Sequence, residues 1–185
     1  MSSILKVDQL QDSGGNAIIT SDGSGNLTTQ KLLYPAWSAT LSTDQSMTNG
    51  VTVKVSFANE ILDTDSAYDA TTNYRFTVPS GKAGKYFVMS RLTVKSNNGT
   101  GMVDGRTLLY KNGSSYSFAQ FDSGSGAERV AVTNAEIINL AVGDYVEVYS
   151  VITGSSGTLT LDYVDSAATG HGDQRCSFHG YRIGS

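Results

Sequence analysis

Apolar and polar residues alternate with a period of two over most of the chain after residue 35. Over residues 51–57, valine or phenylalanine occupies every second position and polar residues lie between them. A strand with one buried face and one solvated face shows this pattern. Residues 51–57 are therefore predicted as the clearest strand. Further strands are predicted at residues 37–41, 86–94, 107–111, 116–121, 128–140, 145–152, 158–164 and 178–183.

Two of the predicted strands are apolar on both faces. In residues 86–94, Phe87 and Met89 alternate with Tyr86 and Val88, and residues 145–152 are also apolar at both odd and even positions. In a two-sheet sandwich the inner face packs on the other sheet. The second face of such a strand therefore needs either a covering loop or a neighbouring subunit.

Turn residues separate the predicted strands. Asn112-Gly113 lies between two of them, and both residues tolerate the positive φ of a two-residue hairpin, so a hairpin is predicted there. Residues 74–89 are predicted to form two strands joined by a turn at Pro79 and Gly81. Together these signals predict one domain of about eight to ten strands.

Residues 1–34 differ from the rest of the chain, and Pro35 marks the boundary. The spacing of aliphatic residues over 3–11 fits a short helix and an irregular strand equally well, and both remain open. A segment this short cannot bury its own apolar side chains, so we expect it to contact another chain rather than to remain a free tail. The predicted anchor residues are Ile4, Leu5, Val7, Leu10, Ile18 and Ile19.

Charge and cysteine content exclude several classes of function. The net charge is −4 and the chain has no cluster of lysine or arginine, so a nucleic-acid partner is not expected. Cys176 is the only cysteine, so no intrachain disulfide can form. The start of the chain lacks the sustained apolar stretch of a secretory signal, and no run approaches the roughly 20 apolar residues of a membrane span. We expect synthesis in a cytoplasm and no membrane insertion.

Two groups of residues invite a chemical interpretation. Cys176 and His179 could form a thiol and its base, but their odd separation on a predicted strand directs them to opposite faces. Asp63, Asp65 and Asp69 place three carboxylates in one loop, which suits calcium, although acidic loops are more often simply solvated. No hydrolase elbow, phosphate loop or zinc-protease motif occurs, so a non-enzymatic protein without a resident cofactor is predicted, with calcium as the one candidate ligand.

Six short motifs follow one another in a recognisable order. They are Ala36-Trp-Ser-Ala39, Phe76-Thr-Val-Pro79, Gly84-Lys-Tyr86, Leu109-Tyr-Lys-Asn-Gly113, Leu140-Ala-Val-Gly-Asp-Tyr-Val146 and Phe178-His-Gly-Tyr-Arg-Ile183. This order resembles the globular head of complement component 1q and the tumour-necrosis-factor-like jelly rolls. The resemblance implies an all-β, antiparallel, ten-stranded jelly roll over residues 35–185 that assembles as a homotrimer. The implied trimer interface residues are Phe87, Met89, Tyr145, Tyr149, Phe178 and Tyr181.

A second resemblance concerns the opening of the chain. Residues 3–19 resemble the N-terminal segments of virion proteins from tailed bacteriophages. This resemblance implies a virion structural protein whose residues 1–34 attach a trimeric head to other virion proteins, as a fibre, knob or decoration protein. The alternative is a host-receptor or carbohydrate-binding adhesin. In that case the small polar loops at residues 96–101, 123–126 and 167–173 are predicted to bind a host surface glycan.

Overall fold

A computed structural model describes residues 7–29, 35–97, 101–155, 158–163 and 175–184. The chain divides into two compact units, Met1–Tyr34 and Pro35–Ser185. All regular elements in the described ranges are β-strands, and every pairing between them is antiparallel, as the sequence predicts. Within these ranges no helix is long and apolar enough to cross a bilayer.

The first unit is a small meander of three strands. It contains β1 (Gln9–Gln11), β2 (Ala17–Ser21) and β3 (Leu27–Thr29), paired in that order. For residues 9–11 the open choice between helix and strand is therefore decided in favour of a strand. The two turns have the same construction: the carboxylate of Asp12 accepts from the backbone N–H of Asn16, and that of Asp22 accepts from the N–H of Asn26.

The second unit is a sandwich of two antiparallel sheets. It has more strands than the expected total of about eight to ten, because residues 45–77 form five short strands. The strands are β4 (Ala36–Thr40), β5 (Gln45–Met47), β6 (Val53–Lys54), β7 (Asn59–Asp63), β8 (Tyr68–Asp69), β9 (Arg75–Thr77), β10 (Gly84–Ser96), β11 (Met102–Lys111), β12 (Ser114–Ala127), β13 (Arg129–Leu140), β14 (Tyr145–Gly154), β15 (Leu159–Leu161) and β16 (Ser177–Gly184).

Strand β10 is at the centre of the seven-stranded sheet. This sheet runs β5-β15-β10-β16-β4-β7, and β13 also pairs with β10. The six-stranded sheet runs β12-β11-β14-β9-β8, and β6 pairs with β14. Residues 74–89 do contain two strands, β9 and β10, but the turn between them carries the chain from one sheet to the other.

The core lies between the sheets and is rich in aromatic residues. Trp37 stacks on Phe76 with 3.9 Å between ring centroids, and Phe178 packs edge-on against Trp37 at 5.5 Å. All three side chains are buried. Aromatic packing of this kind stabilises a sandwich through both burial and ring geometry.

The hairpin prediction is confirmed. Strands β11 and β12 pair through the turn at Asn112 and Gly113, whose φ angles are 51° and 77°. The Asn112 side chain accepts from the Tyr145 N–H at 2.9 Å and donates to the Asp144 carboxylate at 2.8 Å. The turn is therefore fixed both by its own backbone and by the start of β14.

The prediction that residues 51–57 form the clearest strand is wrong. Only Val53–Lys54 pairs as a strand, β6, and Val51 is 47% exposed, although Val55 and Phe57 are buried. Strand β6 shares one edge of β14 with β9, which already pairs with residues 145–147. Backbone bonds from the Gly50 N–H to Ile152 and from the Val55 N–H to Val148 also hold the segment to that edge, but only Val53 and Lys54 form ladder pairs with β14. The alternation therefore reports burial here and not extended pairing.

Candidate self-association face

The two-sided character of β10 is observed. Tyr86, Val88 and Leu92 point into the core and are fully buried, whereas Phe87 and Met89 on the outer face are only partly covered. Because alternate side chains of a strand point to opposite faces, the neighbours of Phe87 and Met89 can be followed across the sheet from its register.

One row of apolar side chains crosses the outer face at Phe87. Tyr181 of β16 lies opposite Phe87 on one side and Ile137 of β13 on the other. The rings of Phe87 and Tyr181 lie 5.5 Å apart. Ile137 is 62% exposed and Tyr181 is 48% exposed, so this row presents apolar surface to solvent.

A second row runs parallel to the first at Met89. His179 of β16 and Ala135 of β13 flank Met89. Beyond His179 the row continues through Ser38 of β4 to Leu62 of β7, which is 48% exposed. We call the outer side chains of these two rows the apolar face: Leu62, Phe87, Met89, Ala135, Ile137, His179 and Tyr181.

Sequence reasoning placed Phe87 and Met89 correctly on a second strand face, and it named Tyr181 only as an implied interface residue. Phe87, Met89 and Tyr181 were among the predicted interface residues. Ile137 and Leu62 were not, because an isolated apolar residue on the outer side of a strand gains meaning only when its neighbours are known. The alternation within residues 128–140 contained a weak signal for Ile137.

One predicted interface residue is corrected by the structure. Phe178 is fully buried in the core of its own chain, against Trp37, Phe57 and Tyr68. A side chain without exposed surface cannot meet a neighbouring subunit. The prediction failed because Phe178 and Tyr181 lie three residues apart on one strand and so point to opposite faces.

Two further predicted interface residues lie on the other sheet. Tyr145 and Tyr149 belong to the outer face of the six-stranded sheet, where the Arg75 guanidinium lies 4.0 Å from the Tyr145 ring and Tyr110 stacks 4.1 Å from Tyr149. The buried Glu147 carboxylate forms an ion pair with Lys54 between these rings. We call this surface the aromatic face. Its members are Tyr110, Tyr116, Phe118, Tyr145 and Tyr149.

The structure does not bring the three predicted calcium ligands together. The Asp69 carboxylate accepts from the N–H groups of Thr71 and Thr72, and these bonds hold its pKa below the usual range. Asp63 accepts from the Tyr68 N–H at 2.7 Å. Asp65 lies beside Lys82 at 3.6 Å. Among the described residues no group of three or more metal-binding side chains converges. Asp63 and Asp69 instead use their carboxylates to hold the backbone of the loop.

Cys176 and His179 do not form a catalytic pair. The Cys176 thiol is buried, with its Sγ atom 3.3 Å from the Thr93 nitrogen, which donates to it. Burial raises the pKa of this thiol to about 12, so the thiolate needed for nucleophilic attack does not form near neutral pH. His179 lies instead on the apolar face.

The described anchor residues expose apolar surface. Val7 is 58% exposed, Leu10 is 52% exposed and Ile18 is 47% exposed, whereas Ile19 is partly covered. A shallow groove in this unit is lined in part by Val7, Leu10, Ile19 and Leu27. Ile4 and Leu5 lie outside the described residues, as does the predicted glycan loop at 167–173 together with residues 98–100 of another.

Solved structures resemble the chain in fold. The globular domain of zebrafish complement 1qA protein matches with a TM-score of 0.54 and 14% identity, covering 80% of this chain and 97% of that one. Murine APRIL at pH 5.0 matches with a TM-score of 0.54 and 12% identity, covering 81% and 99%. The fold is a complement-1q/TNF-like jelly roll. Identities this low establish architecture alone.

The other comparisons give no relative. No protein-family model matches the sequence, and no curated protein matches it.

Proposed function

We propose that this chain is a non-enzymatic structural protein of a tailed-bacteriophage virion, in which a homotrimeric jelly roll projects from the particle and residues 1–34 attach it. The observation that carries the trimer is the apolar face. Neighbouring exposed apolar side chains that form one continuous surface are typical of interaction surfaces. Association of copies through the apolar face removes it from water.

The size of the hydrophobic gain favours assembly. Each square ångström of apolar surface removed from water contributes about 25 cal/mol, and Ile137, Tyr181 and Leu62 are each about half exposed in the single chain. A cyclic arrangement of three copies also covers sheet edges, which otherwise invite uncontrolled strand pairing.

The attachment role is supported by the first unit. Its three short strands leave Val7, Leu10 and Leu27 largely exposed, and a unit this small cannot bury them itself. Together with the likeness of residues 3–19 to virion segments, this favours other virion proteins as the partners of residues 1–34. The chain is then located in the virion after synthesis in the host bacterial cytoplasm.

The trimer is tested by measuring the native mass of the purified chain together with two matched variants. Ile137→Glu places a charge in the apolar face, whereas Val142→Glu places the same charge in the turn after β13, at a residue that is 53% exposed. We expect trimers for the wild-type chain and for Val142→Glu, and monomers for Ile137→Glu, because burying an unpaired carboxylate is strongly unfavourable. A monomeric wild-type chain contradicts the proposed trimer.

A second candidate function, binding of a host glycan, is favoured by the aromatic face. Phe118 is 55% exposed and Tyr116 is 49% exposed, and the Arg106 guanidinium lies 5.2 Å from the Phe118 ring while its Nε donates to Gln120. Exposed rings beside fixed hydrogen-bonding groups suit the apolar faces and hydroxyl groups of a sugar ring.

A glycan array with the whole chain tests this second function. If a glycan binds, Phe118→Ala should weaken binding about tenfold, as loss of a central aromatic contact does. Val142→Ala serves as the control, because Val142 is about as exposed as Phe118 but is an aliphatic side chain that does not belong to the aromatic face. Absence of binding to any glycan, or equal binding by Phe118→Ala, contradicts the glycan role of this face and leaves the structural role unaffected.

A further inference from the structure

His179 lies in the middle of the apolar face. Its strand neighbours are Met89 of β10 on one side and Ser38 of β4 on the other. Ala135 lies beyond Met89, and Leu62 lies beyond Ser38. The imidazole is only partly covered in the single chain. Any partner that covers these rows therefore also covers the one titratable imidazole within them.

The charged groups around His179 do not offer it a counter-ion. On β10 the nearest charge on the same face is Arg91, and Lys85 lies at the far end of that face. On β16 the neighbouring outer residue is Tyr181. The facing residues of β4 and β13 are uncharged.

The carboxylates of β7 lie elsewhere. Glu60 and Asp63 stand opposite Ala39 and Trp37, whose side chains are buried on the other side of the sheet. Among the described residues of the packed strands, no carboxylate faces the imidazole. Burial and the charge of Arg91 both lower the pKa of His179.

We propose that His179 makes assembly through the apolar face dependent on pH, because the neutral imidazole enters the interface and the protonated imidazole opposes it. This inference rests on the proposed homotrimer and adds its regulation.

The direction of the pH dependence follows from the neutral and protonated states of the imidazole. Assembly covers His179 further without supplying an acid, so its pKa is lower in the assembled state than in the free chain. The full strength of association is then present above the pKa of the free chain and declines as the pH falls below it. Each chain can take up one proton on dissociation, so the association constant of three chains falls by up to about a thousandfold per pH unit in this range.

The experiment measures the mass of the full chain by sedimentation at about pH 7.5 and about pH 5.5, on either side of the ordinary histidine pKa. His179→Gln keeps a polar side chain of similar size that cannot be protonated. His171→Gln is the matched control, because His171 is the only other histidine. We expect the wild-type chain and His171→Gln to dissociate at the lower pH at concentrations where His179→Gln remains assembled.

The outcomes separate this inference from the trimer itself. A monomer at about pH 7.5 refutes the trimer, whereas a trimer that dissociates equally with and without His179 refutes only the inference. If His179→Gln fails to assemble, NMR titration of His171→Gln decides, because His179 is then the only imidazole. Its pKa must be lower in the assembled state than in the monomer of the same chain obtained by dilution, and equal values overturn the proposal.

Discussion

At the scale of single residues, Gly180 determines how closely the strands and the core can pack. It lies on β16 between Trp37 of β4 and Val88 of β10. A Cβ atom at this position would lie 2.4 Å from the Trp37 ring and 2.6 Å from the backbone oxygen of Phe87. Neither group can move freely, since the Trp37 ring is stacked on Phe76 and the oxygen belongs to the sheet.

Gly180→Ala is therefore expected to destabilise the head by about 1–3 kcal/mol, the usual cost of forcing extra volume into a packed core. The measurement is the free energy of unfolding in urea. Gly184→Ala is the control on the same strand, because no atom lies within 4 Å of its added Cβ. Equal free energies of unfolding for the two variants would show that the Trp37 ring moves aside without loss of stability.

A second residue-scale feature is the buried carboxylate of Asp162. It is 1% exposed and lies 2.9 Å from Lys95 Nζ, 3.1 Å from Arg129 Nε and 2.8 Å from Arg175 Nη1. Buried charges are tolerated when several partners replace the lost water. Asp162 thereby links β15 to three separate parts of the seven-stranded sheet and its flanking chain.

At the scale of elements, the sequence predicts those features of strands and turns that depend only on residues adjacent in the chain. The β11–β12 hairpin follows from Asn112 and Gly113, whose positive φ angles need no distant partner. The two faces of β10 follow from strict alternation. The strand of residues 51–57 could not be predicted correctly, because the alternation reports which side chains are buried and not how many residues pair with β14.

The candidate site shows the same limit. The outward position of Phe87 and Met89 can be predicted from alternation alone. The assembly of His179, Ala135 and Leu62 into one row with Met89 depends on the register of β16, β13 and β7, which are far apart in sequence. To predict the burial of Phe178, one must know which alternate residues of β16 face the core, because that choice fixes the face of every side chain along the strand.

At the scale of the whole molecule, each unit has its own set of contacts. The hydrophobic core of the head is drawn from residues 37–178, and none of residues 7–29 of the first unit belongs to it. Pro35 belongs with the head, since its carbonyl oxygen accepts from the Arg182 N–H at 3.0 Å. A truncation that begins at Pro35 therefore preserves the contacts of the head.

Deleting residues 1–34 is expected to leave the unfolding temperature and the native mass of the head unchanged. On the proposed attachment role, virions assembled with the shortened chain are expected to lack it. Calorimetry and sedimentation measure the first result, and mass spectrometry of purified particles measures the second. A full-length chain with Leu10→Ser and Ile18→Ser tests the exposed anchor side chains separately. Normal incorporation of the shortened chain into particles would show that the head itself makes the attachment.

The pairing of β16 with both β4 and β10 affects how the protein is made. One edge of residues 36–40 pairs with β7, but the other edge finds its hydrogen-bond partners only at residues 177–181, and β16 also completes one side of β10. During synthesis the ribosome must release nearly the entire chain before the sheet can close. Until then the edges of β4 and β10 that β16 covers remain unpaired. Newly made chains therefore depend on rapid synthesis of residues 177–184 or on chaperones to avoid aggregation.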